Sequence, residues 1–461
     1  MGGVNTASFR DPSGFVFERG GILYRQVNSR YAPDYDLIKS SGLLDELQSG
    51  GMLVAHKEAD LSLALMPESA YKIIEPEKIP FISYPYEWSF SMLKDAALLT
   101  LEIHKRAVNR GMSLKDASAY NIQFKGSRPV FIDTLSFEKY KDGEPWIAYG
   151  QFCSHFLAPL ALMALRDIRL SSLLRAYIDG IPLDLASKLL PFLTRLNIPL
   201  LTNIHMHARS RLRYGGKGIK KSEVKGKISK FGMLAIIDGL ETAVKELKWQ
   251  PRGTQWGGYY NDTNYTAEAF ENKEKIVKNM IEETGVKSGL VWDLGANEGV
   301  FSSIAASNGH YTAAFDIDPA AVEKNYIRLK HDDNNRIIPL LMDLTNPSAA
   351  SGFGNEERMS MKERGPADIV LALALIHHLA ISNNTPLSKA AGFFAASGRN
   401  LIVEFVPKED SQARRLLAFR EDIFEGYTTE GFERGFKNMF EIIRKEPIQG
   451  TKRVLYLMRR L

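Results

Sequence analysis

The chain has 461 residues, 44% of them hydrophobic, and carries 59 Lys and Arg against 54 Asp and Glu, a net charge of +5. That length predicts two or three domains, and most of the small charge lies in one basic run, which leaves the remainder near neutral. Cys153 is the only cysteine, which excludes an intramolecular disulfide, and with no charged-then-apolar leader at its start the chain is expected to be cytoplasmic.

Residues 1–145 read as an N-terminal α+β domain. The opening Met1-Gly2-Gly3-Val4-Asn5-Thr6 fits the N-myristoylation pattern only formally, because so short a pattern matches by chance. Strands are predicted over 15–18 and 22–27 and a long helix over 88–109. The run 114–124 then holds Asp116 and Asn121, and a short apolar strand ends in Asp133. This spacing resembles the catalytic loop and metal-binding Asp of protein-kinase-like phosphotransferases. The resemblance implies a kinase-like fold in which Asp116 handles an acceptor proton while Asn121 and Asp133 ligate magnesium. Leu114 stands where a His is usual, and Thr134-Leu135 follow Asp133 in place of Phe-Gly. The plain alternative is an Asp/Asn turn between two strands.

Residues 146–206 read as a helical connecting region. The apolar stretch 155–174, interrupted by Arg166, Asp167 and Arg169, is too short and too charged to span a bilayer and predicts a buried or inter-domain helix. A basic, flexible linker is expected over 207–232. Between 209 and 230 it carries Arg209, Arg211, Arg213, Lys217, Lys220, Lys221, Lys225, Lys227 and Lys230 against one acid, Glu223. Such a run suits RNA phosphates or an anionic membrane surface, but with Tyr214 as its only aromatic it does not favour stacking on bases. No structural metal is expected, since His205 and His207, like the pair His377 and His378, lack the cysteine or carboxylate neighbours of a tetrahedral site.

The segment 250–461 is the most informative. Near its start, ahead of the helix that leads into the first strand, Trp256, Tyr259, Tyr260 and Tyr265 are placed to cover a ligand, or simply to pack that entry helix onto a sheet. An apolar strand over 290–294 carries Asp293, a turn holds Gly295, Asn297 and Gly299, a helix follows, and a second strand ends in Asp316-Ile317. Glycines remove side chains where the backbone must bend sharply and a ligand must come close. An acid ending the second strand suits the two hydroxyls of a ribose. The glycines of Gly-Ala-Asn-Glu-Gly do not have the G-x-G-x-x-G spacing of a dinucleotide fingerprint. Instead, Asp-Leu-Gly-Ala-Asn-Glu-Gly and Phe-Asp-Ile-Asp-Pro resemble motifs I and II of class I S-adenosylmethionine-dependent methyltransferases.

That resemblance covers residues 250–461 and implies an α/β, Rossmann-like sheet of seven strands with an antiparallel edge strand. Further strands are expected over 336–341, 367–374, 400–406, 440–443 and 453–458, with helices from about 409 and over 429–435. It also implies S-adenosyl-L-methionine as cofactor, held by Asp293, Gly295, Asn297, Gly299, Asp316 and Ile317, by Asp343 at the adenine, and by Tyr265 as a lid. Methyl transfer needs the two partners held close and collinear, water removed and, for a hydroxyl, a proton acceptor. His377 and His378 follow the fourth strand where an acceptor must come, and Glu404 near the end of the fifth strand points to the same edge, as an acceptor ligand or as a structural ion pair. The run Ala374-Leu375-Ile376-His377 replaces the Asn/Asp-Pro-Pro-Tyr of enzymes that methylate planar amines. The expected activity is therefore methyl transfer to an oxygen of a small or medium-sized metabolite, glycan- or lipid-linked forms included. The alternatives are an RNA or protein methyltransferase using the basic linker, and a bifunctional or regulatory protein with a kinase-like N-terminal domain. The sequence leaves the oligomeric state open.

Overall fold

Apolar alternation and turn residues build four sheets among the described residues. The structure, a computed structural model, describes residues 3–208, 228–251, 265–418 and 420–461. It divides into a first unit of residues 1–124, 128–250 and 352–357 and a second of 125–127, 251–351 and 358–461.

In the first unit, β1 (Gly14–Arg19) and β2 (Ile22–Asn28) form a hairpin around Gly20 and Gly21, whose positive φ values of 62° and 79° suit a tight turn. With β3 (His56–Ala59) and β4 (Ala70–Pro76) they make an antiparallel sheet in the order β1-β2-β4-β3. Its inner face buries Phe15, Phe17, Tyr24 and Ile73. The long helix is Phe90–Asn109, two residues shorter than expected because Ser89 caps it, its side chain accepting from the Met92 N–H. After it come β5 (Met112–Leu114), β6 (Ile122–Lys125), β7 (Arg128–Phe131) and β8 (Phe137–Lys139) in two small sheets, β5-β8 and β6-β7.

The apolar stretch beyond residue 146 is not a separate connecting region but part of this unit. It runs as Tyr149–Phe152, a π-helical turn Cys153–Leu157 and Ala158–Leu165, and its fully buried face includes Phe152, Phe156, Leu160 and Leu162. The single helix expected over 155–174 breaks at Arg166 and Asp167, because the Asp167 side chain accepts from the Arg169 N–H and starts a new 3-10 turn. The linker expectation falls largely on 209–227, outside the described residues, but its last residues begin the helix Lys230–Glu246, N-capped by Ser229.

The second unit is one seven-stranded sheet of β9 (Leu290–Leu294), β10 (Tyr311–Asp316), β11 (Ile337–Leu341), β12 (Ala367–Ala372), β13 (Gly398–Phe405), β14 (Phe440–Pro447) and β15 (Val454–Arg460). Their order is β11-β10-β9-β12-β13-β15-β14, with β9 to β13 parallel and β15 antiparallel to both neighbours. The antiparallel strand expected at the edge is thus one place in from it, because β15 pairs with β13 and β14, joined to β15 by the short connection 448–453 and so antiparallel to it, takes the edge. Helices Ala267–Glu283 and Val300–Ser307 cover the sheet, and Val277, Met280, Val291, Ile369, Leu371 and Ile402 fill the core. Strand order reverses at β9 and β12, so the carboxyl ends of β9, β10 and β12 open a crevice at a topological switch point.

Candidate active site

The crevice is shaped by backbone first. Beyond β9, Gly295 has φ 78°, and a Cβ there would sit 3.5 Å from Leu375 Cδ1. Gly299 has φ 81°, and any Cβ would fall 2.4 Å from Asn325 Nδ2, so only glycine fits where the helix Val300–Ser307 begins. Between them Asn297 adopts φ 49°, a left-handed conformation that asparagine tolerates.

Asp316 ends β10 and is 8% exposed. Its Oδ2 accepts from the Asn297 N–H and its Oδ1 from the Asp318 N–H, both at 2.8 Å. A carboxylate has about four acceptor positions, more than these two donors fill, and accepting hydroxyl hydrogens is what a pair of vicinal hydroxyls requires of it. Burial raises its pKa to about 6, against the lowering effect of those backbone donors. The next residue, Ile317, is 56% exposed, an apolar side chain beside a polar rim. Asp293 is 2% exposed and accepts from Ser302 Oγ at 2.6 Å, and burial raises it to about 6 as well. Asp343 turns its carboxylate onto its own loop, accepting from the Thr345 N–H and Oγ1.

Tyr265, Phe270, Lys273, Asp293, Gly295, Asn297, Phe301 and Ala374 line the pocket at this end of the sheet. Tyr265 therefore stands where a lid was expected, whereas Trp256, Tyr259 and Tyr260 lie outside the described residues. Its hydroxyl donates to Glu404 and accepts from Arg453 Nη1 at 2.8 Å, and the Arg453 guanidinium lies 4.6 Å from its ring centroid.

Glu404 is fully buried and is committed to the protein. Lys273 Nζ lies 2.6 Å from one oxygen and Arg453 Nη1 3.1 Å from the other, and the Ala374 N–H donates to it at 3.0 Å. Burial would push this carboxyl up, but Lys273 and Arg453 outweigh it and hold the pKa down to about 2. With every oxygen engaged, Glu404 is a structural ion-pair centre and not an acceptor ligand. One of the groups it holds is Ala374, a non-glycine residue at φ 49° on the rim of the pocket. Lys273 and Arg453 are the site residues that sequence reasoning missed. Lys273 has a signal: with Ala269, Ile276, Val277 and Met280 it shares the apolar stripe of its helix, where a solvated lysine has no place.

The histidines separate in environment. His377 is 1% exposed, and its Nδ1 has no hydrogen-bond partner among the described residues; burial drives its pKa well below the ordinary value. His378 is partly exposed and opens a π-helical turn, His378–Ser382; burial, then the nearby Arg453, lowers it to about 4. Both are neutral near pH 7, and their rings lie 4.1 Å apart.

In the first unit, Asp116, Asn121 and Asp133 do come together. Asp116 accepts from the Ser118 N–H at 2.9 Å and from the Asn121 and Gln151 side chains; burial, then the Asp133 charge, raises its pKa. Asn121 also donates to Ser136 Oγ, which donates to Asp133. Asp133 is held by Arg25 Nη1 at 2.6 Å and by the Leu135 N–H at 3.0 Å. These donors occupy the carboxylate that the kinase resemblance assigns to magnesium, so the residues as placed do not fit that ion. No cluster of three or more His, Cys, Asp or Glu side chains suited to a metal occurs among the described residues.

No family model matches the chain. It is similar to the nodulation protein NoeA of Rhizobium meliloti (strain 1021), 36% identical over 459 residues, which is 98% of this chain and 95% of that protein. Among solved structures, magnesium protoporphyrin IX methyltransferase from Synechocystis with bound SAM is 17% identical, with 45% of this chain and 89% of that one covered and a TM-score of 0.31. The N-methyltransferase NodS from Bradyrhizobium japonicum is 11% identical, with 42% and 97% covered and a TM-score of 0.30.

Proposed function

Since the chain belongs to the family of the nodulation protein NoeA and its second unit has the strand order of the class I methyltransferases, we propose that it is an S-adenosylmethionine-dependent methyltransferase. The observation that carries the proposal is Asp316, a buried carboxylate that ends β10 at the switch point and accepts from the N–H of Asn297, a residue lining the pocket, beside the exposed Ile317. Asp316 would hold the ribose, Ile317 and Asp343 the adenine end, and Gly295, Asn297, Asp293 and Tyr265 the methionine end. When bound, that cofactor supplies an activated methyl group on a sulfonium. The chain's part is to orient, to exclude water and to take a proton. For the last role we assign His378, neutral near pH 7 and less enclosed than His377, which makes a hydroxyl the favoured nucleophile on a small or medium-sized metabolite, glycan- or lipid-linked forms included. The relative's name supplies the biological setting, nodulation.

The test is calorimetric binding of S-adenosylmethionine to the whole chain, followed by labelled-methyl uptake from the cofactor into separated metabolite, RNA and protein fractions. Tight binding with label in the metabolite fraction is expected. Label only in RNA or protein would replace the acceptor class, and no binding at all would remove the reading.

A second proposal concerns the first unit. Its four-stranded sheet, the helix Phe90–Asn109, β5, the loop with Asp116 and Asn121, the β6-β7 hairpin and Asp133 follow one another in the order of a kinase-like fold. The Arg25–Asp133 pair supports a scaffold or binding role over phosphotransfer.

A further inference from the structure

Three residues that line the pocket at the end of the second unit's sheet meet on one side chain that does not line it. The Tyr265 hydroxyl donates to Glu404, Lys273 Nζ lies 2.6 Å from Glu404 Oε2, and the Ala374 N–H donates to that same oxygen at 3.0 Å. They arrive from three places: the residues just before the helix Ala267–Glu283, that helix itself, and the turn that follows β12. Glu404, fully buried near the end of β13, therefore joins three walls of the pocket from behind.

Of the three, Ala374 is the strained one. Its φ of 49° is a left-handed conformation that costs a residue with a Cβ on the order of 1–3 kcal/mol and persists only where the surroundings enforce it. Released, the turn 373–375 would relax to an ordinary backbone and carry its side chains with it. Leu373 and Ala374 line the pocket, and Leu375 Cδ1 comes within 3.5 Å of where a Cβ on Gly295 would stand, so the turn also packs on the bend that follows β9. The acceptor that holds the Ala374 N–H cannot follow such a movement. Lys273 and Arg453 Nη1, the latter at 3.1 Å, pin the carboxylate, and Arg453 is itself anchored on Asp410 by bonds of 2.8 and 3.0 Å.

We propose that Glu404 is a positioning residue for the cofactor: without touching the ligand, it sets cofactor affinity by keeping the Ala374 turn in its left-handed form. The inference rests on the reading of this pocket as the methionine end of an S-adenosylmethionine site.

The experiment is calorimetric titration of the whole chain with S-adenosylmethionine, run beside thermal melts, on two pairs of variants. In the first pair Lys273→Met is combined with either Glu404→Gln or Glu404→Met. Both remove the same two charges and leave Arg453 with Asp410, but only the glutamine keeps an acceptor for the Ala374 N–H. The form with Glu404→Met should bind about tenfold or more weakly than the form with Glu404→Gln. The latter should stay within a few-fold of Lys273→Met alone. The second pair leaves the ion cluster intact and decides the matter should the doubly substituted methionine form not fold. Asparagine and valine are similar in size, but asparagine accepts a left-handed backbone and β-branched valine does not. Ala374→Val should therefore bind about tenfold or more weakly than Ala374→Asn. Equal affinity within either folded pair would overturn the inference and leave the cofactor reading in place. A parent that binds no S-adenosylmethionine would remove that reading and this inference together.

Discussion

Asp316 and His378 carry the proposal at the level of single side chains, and their ionisation makes it measurable. Asp316 has a raised pKa of about 6 in the free protein, and hydroxyl donors favour its charged form, so cofactor affinity should increase as pH rises through about 6 and level off above it. Asp293, also near 6, adds to the same rise. At pH 7.5, Asp316→Ala should weaken binding by about 1.5–3 kcal/mol, the cost of losing a charged acceptor in a buried site. Calorimetry that finds parental affinity and a parental pH profile in this variant would take the ribose role away from it. His378→Ala should reduce turnover by roughly 10²–10⁴ with cofactor affinity unchanged, the signature of a lost proton acceptor. His377→Ala, altering a group 1% exposed, should act mainly on stability, and equal turnover in both variants would exclude either imidazole as the base.

The second unit is tied together where the helix Ala267–Glu283, the turn at Ala374, β13 and β15 meet on Glu404. Lys273→Met would leave Glu404 buried with Arg453 as its one remaining cation. A loss of about 3 kcal/mol is expected in urea unfolding, partly restored by adding Glu404→Gln, which removes the uncompensated charge. No loss in the single variant would mean that Arg453 suffices. This cluster also shows how far the chain could be read unaided. Strands that are apolar on both faces and end in a polar turn announce themselves, so β9, β10 and their glycines were legible, as was the order of elements through β15. The fate of Glu404 was not, because Lys273 and Arg453 approach it from positions 131 residues before and 49 after it, and only packing brings them there. In the same way the spacing of Asp116, Asn121 and Asp133 was visible, whereas the Arg25 that neutralises Asp133 comes from a different strand with no local cue. The helix expected over 155–174 failed for a local reason, a capping Asp167 inside an apolar run.

Protonation also sets how each unit as a whole responds to acid. His104 in the first unit is pushed down to about 3 by burial, its ring stacked 4.2 Å from that of Trp146 and its Nδ1 accepting from the Leu114 N–H at 3.2 Å. In the second unit His378 lies near 4 and His377 well below its ordinary value. A histidine that stays neutral when folded but takes a proton near pH 6.5 when unfolded contributes stability that is complete above 6.5. That stability is lost progressively as pH falls toward the folded value. The raised carboxyls work in the opposite sense: Asp293 and Asp316 keep protons between about 4 and 6 that the unfolded chain releases, so they favour the folded form on the acid side and lose that contribution as pH rises through this window. In the second unit the two effects oppose each other, with His310, His377 and His378 on one side and Asp293 and Asp316 on the other. In the first, His104 and the likewise lowered His56 set the acid slope, with Asp116 opposing them. One such group is worth about 1.4 kcal/mol per pH unit below 6.5, or about 2 kcal/mol by pH 5. His104→Gln keeps a hydrogen-bond acceptor but cannot take the proton. It should therefore cost some stability at pH 7.5 through lost packing on Trp146, yet unfold with a visibly flatter pH dependence between 6.5 and 5. Melting curves across that range decide the matter, and a parental slope in the variant would show that the acid sensitivity resides elsewhere.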